Sequence, residues 1–278
     1  MKAHVTEFYN RTRRSASIAN KLLRRGRVLE LPLYWLLRTS YLAREGFENS
    51  GSYRFADHVY CNHAAGRYGV GRFLDRRLLN MPAVKSLRSR FLMARDELCR
   101  FLQERASPNA NLDVLSVPCG IPRDLITGAE RFLSLGKELS GVRFHVLDLD
   151  EDVLPQAKVF AQEHGVTLVT HHGDALDVDA YGGEFDFITS TGLGEFLDDH
   201  QLASLYSVFW HILRPGGVMV TSAMRRQRFP DYLLRLAELH VYYRSAENLT
   251  VLARQAGFVR LTTSVDEQGM QSFLRATK

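Results

Sequence analysis

Cysteine is scarce. Its three copies in 278 residues, Cys61, Cys99 and Cys119, fall in no Cys-x-x-Cys or Cys/His ligand spacing, which argues against a disulfide framework and against a zinc site. No apolar run approaches the roughly 20 residues that a membrane-crossing helix needs. The best stretch, Val28 to Leu37, is interrupted by Glu30 and Pro32 and reads as a buried helix. Arginines recur near the N-terminus at Arg11, Arg13, Arg14, Arg24, Arg25 and Arg27, so the segment lacks the apolar centre of a secretory leader. Low-complexity tracts, internal repeats, a lysine-rich tail and any nucleic-acid-binding motif are also missing. These absences predict a cytoplasmic, reduced, globular protein with no metal, no membrane association and no nucleic-acid partner.

The charge that is present is unevenly placed. Residues 1–108 hold 21 Lys+Arg against 9 Asp+Glu, a net of +12, whereas residues 109–278 hold 15 against 22, a net of −7. The arginines of the first part are spread through amphipathic segments instead of forming a compact run. Their expected partner is therefore the acidic second part of the chain, and a helical lid docked on it is the expectation.

The periodicity changes at the same place. Phe8, Ile18, Leu22 and Leu23, then Leu31, Leu33, Leu36, Leu37 and Tyr41, and again Val84 to Leu102, recur at helical spacing, with a loop-rich segment expected from Gly46 to Gly71. Ser107-Pro108-Asn109 is the natural linker, because a proline pushes the residue before it out of helical geometry. This gives a helical cap at 1–108 and a second domain at 109–278. In the second domain strands are expected at 113–117, 142–147, 166–170, 185–190, 218–222, 259–263 and 272–276. Helices fill the gaps at 124–135, 153–163, 199–213 and 247–256. Strand and helix in alternation imply right-handed crossovers and a mostly parallel sheet. The last two strands have only a loop between them and should pair antiparallel.

Four motifs punctuate this pattern. The strand Asp113-Val114-Leu115-Ser116-Val117 runs into the turn Pro118-Cys119-Gly120-Ile121-Pro122 and then a helix. A second strand ends in Leu147-Asp148-Leu149-Asp150, a third is followed by Gly173-Asp174-Ala175, and a fourth runs into Thr189-Ser190-Thr191-Gly192. The helix before the fifth ends in Leu213-Arg214-Pro215-Gly216-Gly217-Val218. From Leu112 to Lys278 this ordered set resembles the class I S-adenosylmethionine (SAM) dependent methyltransferases, and Leu-Arg-Pro-Gly-Gly before an apolar strand is its most specific element. The resemblance implies an α/β, Rossmann-like sheet of seven strands with the last one antiparallel, here behind an N-terminal α-helical cap. The cap, through Tyr60 to Gly69, Leu74-Asp75-Arg76 and Leu87 to Arg90, is more weakly similar to a group of bacterial methyltransferase-like proteins.

The first motif departs from that family. An acidic residue and Gly-x-Gly-x-Gly are usual there, whereas this chain has Ser116 at the acidic position and Pro118 and Pro122 at the outer glycines, so that only Gly120 remains. Proline fixes φ and removes an N–H donor, so the loop must hold the methionine end of SAM with a different donor set.

The resemblance assigns roles residue by residue. Pro118, Cys119 and Gly120 face the methionine moiety and sulfonium. Asp148, with Leu149 beside it, addresses the ribose hydroxyls, a task suited to a carboxylate because it accepts several hydrogen bonds at once. Asp150 competes for this role but fits a helix-capping turn better. Asp174 and Ala175 grip adenine, and Thr189 and Ser190 line the strand end. Candidate catalytic groups are Thr191, near the sulfonium, and the cap aromatics Tyr60 and Tyr68, with Tyr53 beside them, since aromatic faces attract cations. Arg88 or Arg90 can pair bidentately with a carboxylate of SAM or of a substrate.

Three functions remain open on this reading. SAM-dependent methyl transfer to a small molecule of bacterial secondary metabolism leads. The alternative uses SAM alone, its α-amine attacking its own γ-carbon to give azetidine-2-carboxylate and methylthioadenosine, as in the methyltransferase-like azetidine-2-carboxylate synthases. The rebuilt proline loop and the absence of an obvious base fit it. The third is a non-catalytic SAM-binding subunit.

Overall fold

A computed structural model describes residues 18–24, 26–48, 53–107, 110–226 and 241–278. The described chain divides into two compact units, one running to Arg88 and the other starting at Ser89. Pro108 and Asn109 of the expected linker lie outside the described residues.

The first unit is helical, with α1 (Ile18–Arg24), a 3-10 turn (Val28–Glu30), α2 (Leu31–Leu37), α3 (Tyr41–Glu48), α4 (Tyr53–Cys61), α5 (Tyr68–Leu79) and the first turns of α6 (Pro82–Arg105). Two expectations are corrected here. Val28 to Leu37 is not a buried helix: Val28, Leu29, Leu33, Trp35 and Leu36 are exposed, and of the described side chains only Tyr34 is buried in α2. Glu30 and Pro32 split the run into two pieces, each too short to bury more than one face. The segment from Gly46 to Gly71 is not all loop, because Phe55 and Val59 stand four residues apart and bring one face of α4 into a cluster with Leu42 and Leu79.

A single carboxylate organises this unit. Asp75, fully buried on α5, accepts from Ser40 Oγ at 2.6 Å, Leu42 N at 2.8 Å, His58 Nε2 at 2.9 Å and Ala65 N at 3.0 Å. Ser40 Oγ in turn accepts from Ala43 N, so the hydroxyl caps α3 and ties its positive end to the aspartate. Arg88 donates to the carbonyls of Val59 and Leu79 at 3.0 and 3.1 Å, satisfying the carboxyl ends of α4 and α5.

The second unit is a seven-stranded sheet of β1 (Leu112–Ser116), β2 (Val142–Asp148), β3 (Leu168–His172), β4 (Phe185–Ser190), β5 (Leu213–Met224), β6 (Arg260–Val265) and β7 (Gln271–Thr277), in the order β3-β2-β1-β4-β5-β7-β6. Strands β1 to β5 are parallel, while β7 lies antiparallel between β5 and β6. Helices α7 (Arg123–Ser134), α8 (Val153–Glu163), α9 (Asp199–Ile212) and α10 (Ala246–Gln255) fill the connections. The third strand begins two residues later than expected because Val166 belongs to the end of α8. Gly165 adopts φ +71°, Gly165 N bonds Gln162 O, and Val166 N reaches back to Ala161 O with its side chain buried. One face of the sheet carries a core of Leu115, Leu147, Ile188 and Met219 packed by Leu202, Tyr206 and Phe209 of α9.

Near the amino ends of the strands lies a second buried carboxylate. Asp113 is held bidentately by Arg143, at 2.7 Å on each oxygen, and also by His145 Nε2 at 2.9 Å and Arg214 Nη2 at 2.8 Å. These partners hold Asp113 well below the usual carboxylate range against the opposing effect of burial, and hydrogen bonds from His58, Ser40 and two backbone amides do the same for Asp75. Both groups must take up protons to unfold at low pH, so each contributes stability above the unfolded-state value near pH 4 that is lost as the pH falls below it. The expected slope is about 1.4 kcal/mol per pH unit for each group. Urea titrations between pH 6 and pH 2 should show this acid limb, and Asp75→Asn or Asp113→Asn should flatten it while lowering stability at neutral pH. An unchanged limb in both variants would contradict the assignment.

Candidate ligand site

In an open α/β sheet, ligands bind beyond the carboxyl ends of the strands where the order reverses, which here is between β1 and β4. At that edge the turn after β1 is tied to both neighbouring strands. Val117 N donates to Thr189 O at 2.9 Å and Cys119 N to Leu147 O at 3.0 Å. Gly120 adopts φ +48°, and its N–H donates to Asp148 Oδ2 at 2.9 Å. A residue with a side chain rarely takes that backbone conformation, which explains why glycine persists at this point of the turn while the outer positions are prolines.

Asp148 closes β2 with 2% of its surface exposed. Its second oxygen accepts from Asp150 N at 3.0 Å. Each oxygen thus accepts from a backbone amide at the strand end. The competitor Asp150 is occupied by a turn, its Oδ1 accepting from Asp152 N at 3.1 Å. Leu149 is half-exposed beside it.

The turn after β3 is anchored to the same carboxylate residue through Gly173 N and Asp148 O at 3.1 Å. Asp174 Oδ1 accepts from Leu176 N at 3.0 Å, while the buried Tyr181 hydroxyl donates to Ala175 O at 2.7 Å and fixes the turn from below. Thr189 and Ser190 end β4 almost fully buried, and Thr191 beyond them is half-exposed. The structure therefore gathers Pro118, Cys119, Gly120, Asp148, Leu149, Asp174, Ala175, Thr189, Ser190 and Thr191 at the carboxyl ends of β1 to β4. Burial, with Asp148 and Asp124 adding to it, pushes the pKa of the Cys119 thiol far up.

The remaining candidates belong to the helical unit. Tyr60 packs beside the Leu42–Val59–Leu79 cluster, Tyr68 opens α5 at φ +57° with 83% of its surface exposed, and Arg88 spends donors on helix-end carbonyls. Burial lowers the Arg88 pKa.

Arg90, a candidate partner for a carboxylate of SAM or substrate, has a protein partner here, and sequence reasoning passed over that partner, Glu195, and Arg244. Arg90, in the second unit, pairs with Glu195 at 3.0 Å, with side chains 8% and 5% exposed, and its guanidinium packs under Gly192, where a Cβ would come within 2.9 Å of Nη1. Gly192 itself takes φ +96°, so any side chain there would be strained as well as crowded. Burial raises the Glu195 pKa, and Arg90 opposes it. Arg244 donates to the carbonyls of Gly194 and Leu197, both at 2.6 Å, and to Asp199 at 2.9 Å, and so holds the loop after β4. No local pattern marks Arg244, which lies about 50 residues from its partners. A cleft of about 330 Å³ lined by Arg105, Arg260 and Arg275 sits at the amino end of β5, at the far edge of the sheet from this site.

Residues 114–217 match the methyltransferase domain family. Among solved structures, the chain is similar to a possible exported protein of Bordetella parapertussis, with 24% identity over 90% of this chain and 87% of that one and a TM-score of 0.73. It is also similar to magnesium protoporphyrin IX methyltransferase of Synechocystis with bound S-adenosylhomocysteine, at 13% identity, 80% and 93% coverage and a TM-score of 0.56. The apo form of the SAM-dependent methyltransferase SibL is a third, at 16% identity, 91% and 76% coverage and a TM-score of 0.57. No curated protein matches the chain in sequence. Among the described residues, no helix is long and apolar enough to cross a membrane.

Proposed function

We propose that this chain, whose residues 114–217 match the methyltransferase domain family, is an enzyme transferring the methyl group of SAM to a small molecule. The observation that carries this reading is Asp148, whose carboxylate stands buried at the end of β2, pinned by Gly120 N and Asp150 N. With the Asp174–Ala175 turn bonded to the same residue, the strand ends offer places for ribose and for adenine side by side. Bound there, SAM supplies a sulfonium methyl open to in-line displacement. The protein's task is then to fix the partners in position, an effect that reaches roughly 7–11 kcal/mol for a well-oriented pair.

A second reaction is favoured by one feature, the prolines at 118 and 122 that reshape the turn beside the methionine end. In it the α-ammonium of SAM gives up a proton, the neutral amine attacks Cγ, the Cγ–S bond breaks, and the sulfur leaves as the neutral thioether methylthioadenosine. The other product is azetidine-2-carboxylate.

Incubation with SAM alone, then with pooled small-molecule acceptors, followed by mass spectrometry, separates the two. Methyl transfer predicts S-adenosylhomocysteine that accumulates only when an acceptor is present. Methylthioadenosine forming above its spontaneous rate with no acceptor would replace that reading by cyclisation.

A further inference from the structure

The cleft of about 330 Å³ at the amino end of β5 is lined wholly by residues of the second unit, at the opposite end of the strands from Asp148 and Asp174. Its floor is built by the last two strands. These pair antiparallel with Arg260 opposite Thr277 and Thr262 opposite Arg275. Side chains two residues apart on a strand share a face, so the four make a block with arginines on one diagonal and hydroxyls on the other. The end of α6 supplies the wall. There Arg105 Nη2 donates to Gly216 O at 3.2 Å, which holds the guanidinium at the cleft while using one of its five donors.

The charges in this cleft do not cancel. Arg275 is answered by two carboxylates of α6, with Nε 3.3 Å from Glu97 and Nη2 3.6 Å from Glu104. Among the described residues, neither Arg105 nor Arg260 has a carboxylate at ion-pair distance, and the Arg260 side chain has no hydrogen-bond partner. Two guanidinium groups therefore face one concavity with donors to spare, beside the hydroxyls of Thr262 and Thr277.

We propose that this cleft binds a phosphate group, either as the free ion or as the monoester of a small molecule. The proposal does not rest on the SAM reading. A guanidinium fork meets two oxygens of a phosphate at once, so a tetrahedral dianion can engage Arg105 and Arg260 together and still accept from a threonine hydroxyl. A single carboxylate has only two oxygens and one charge to divide between the two forks. Glu104 lines the same cleft, and its charge opposes the bound anion.

The test is calorimetry on the full chain at fixed ionic strength, titrating inorganic phosphate and, separately, glycerol 3-phosphate. Saturable one-site binding of at least one of them is expected. Affinity should fall about 3- to 10-fold in Arg260→Gln and in Arg105→Gln, between the effect of a screened surface pair and that of a buried charged hydrogen bond. Both side chains are exposed, so neither variant should disturb the fold. Glu104→Gln, which removes a like charge, should bind at least as tightly as wild type. Arg131→Gln is the control for overall charge: this exposed arginine of α7 pairs with Asp96 and does not line the cleft, so its loss should leave binding unchanged. Tighter binding of glycerol 3-phosphate would identify an organic phosphate as the ligand, and tighter binding of inorganic phosphate the free ion. No saturable binding of either anion to wild type, wild-type affinity in both cleft variants, or equal weakening in Arg131→Gln and Arg260→Gln would each overturn the proposal.

Discussion

Asp148→Ala is expected to weaken SAM binding by about 1.5–3 kcal/mol, the worth of hydrogen bonds to a charged group, which is roughly 10- to 150-fold in Kd. The alanine also releases Gly120 N and Asp150 N, so the turn after β1 loses its tie to β2. Asp148→Asn separates the two effects. Its amide keeps an acceptor for one of those N–H groups but carries no charge, and it should retain the fold while losing most of the affinity. Asp150→Ala is the control: its carboxylate serves the Asp152 turn, so SAM binding should change little. Calorimetry on the three variants checks all of this, and a larger loss at Asp150 than at Asp148 would move the ribose contact.

The second large effect concerns the pair beneath the loop after β4. Removing either partner of the Arg90–Glu195 pair leaves the other charge buried without its ion-pair partner. The expected cost is about 3–5 kcal/mol, or a fall in melting temperature of roughly 6–20 °C for a unit of this size. Replacing both at once, as Arg90→Met with Glu195→Leu, should recover much of that loss, because the desolvation cost of two charges goes with them. Thermal melts of the two single variants and the double complete the cycle. Single variants that melt with wild type would show that the pair contributes nothing measurable.

What the residues alone reveal depends on how local the physics is. The strands and helices from Leu112 onward are legible because each is a short apolar run or an amphipathic repeat closed by its own turn, and the structure shifts their ends by two residues or fewer, except that β5 begins at Leu213 and takes in the Leu-Arg-Pro-Gly-Gly motif expected to close the helix before it. Val166 is misplaced because a β-branched residue looks like a strand start, whereas its burial against the end of α8 is decided by Gly165. The places of Asp148 and Asp174 are legible because the pattern locates the ends of β2 and β3, at and just beyond which they stand. The pairing of Arg90 with Glu195 and the hold of Arg244 on the loop after β4 are not, since each depends on partners on another element. Asp75 is the extreme case: in sequence it is one acid in an arginine-rich helix, yet it gathers four donors from Ser40, Leu42, His58 and Ala65. The exposed apolar face of Val28 to Leu36 marks the limit of periodicity, which reports that one side is greasy and not whether anything covers it.

The most direct test of the account is the position of the nucleoside in a structure of the full chain with S-adenosylhomocysteine. The account predicts both ribose hydroxyls within hydrogen-bond distance of the Asp148 carboxylate, with adenine against the Asp174–Ala175 turn. A ribose bound elsewhere, for instance in the arginine-lined cleft at the amino end of β5, would contradict it.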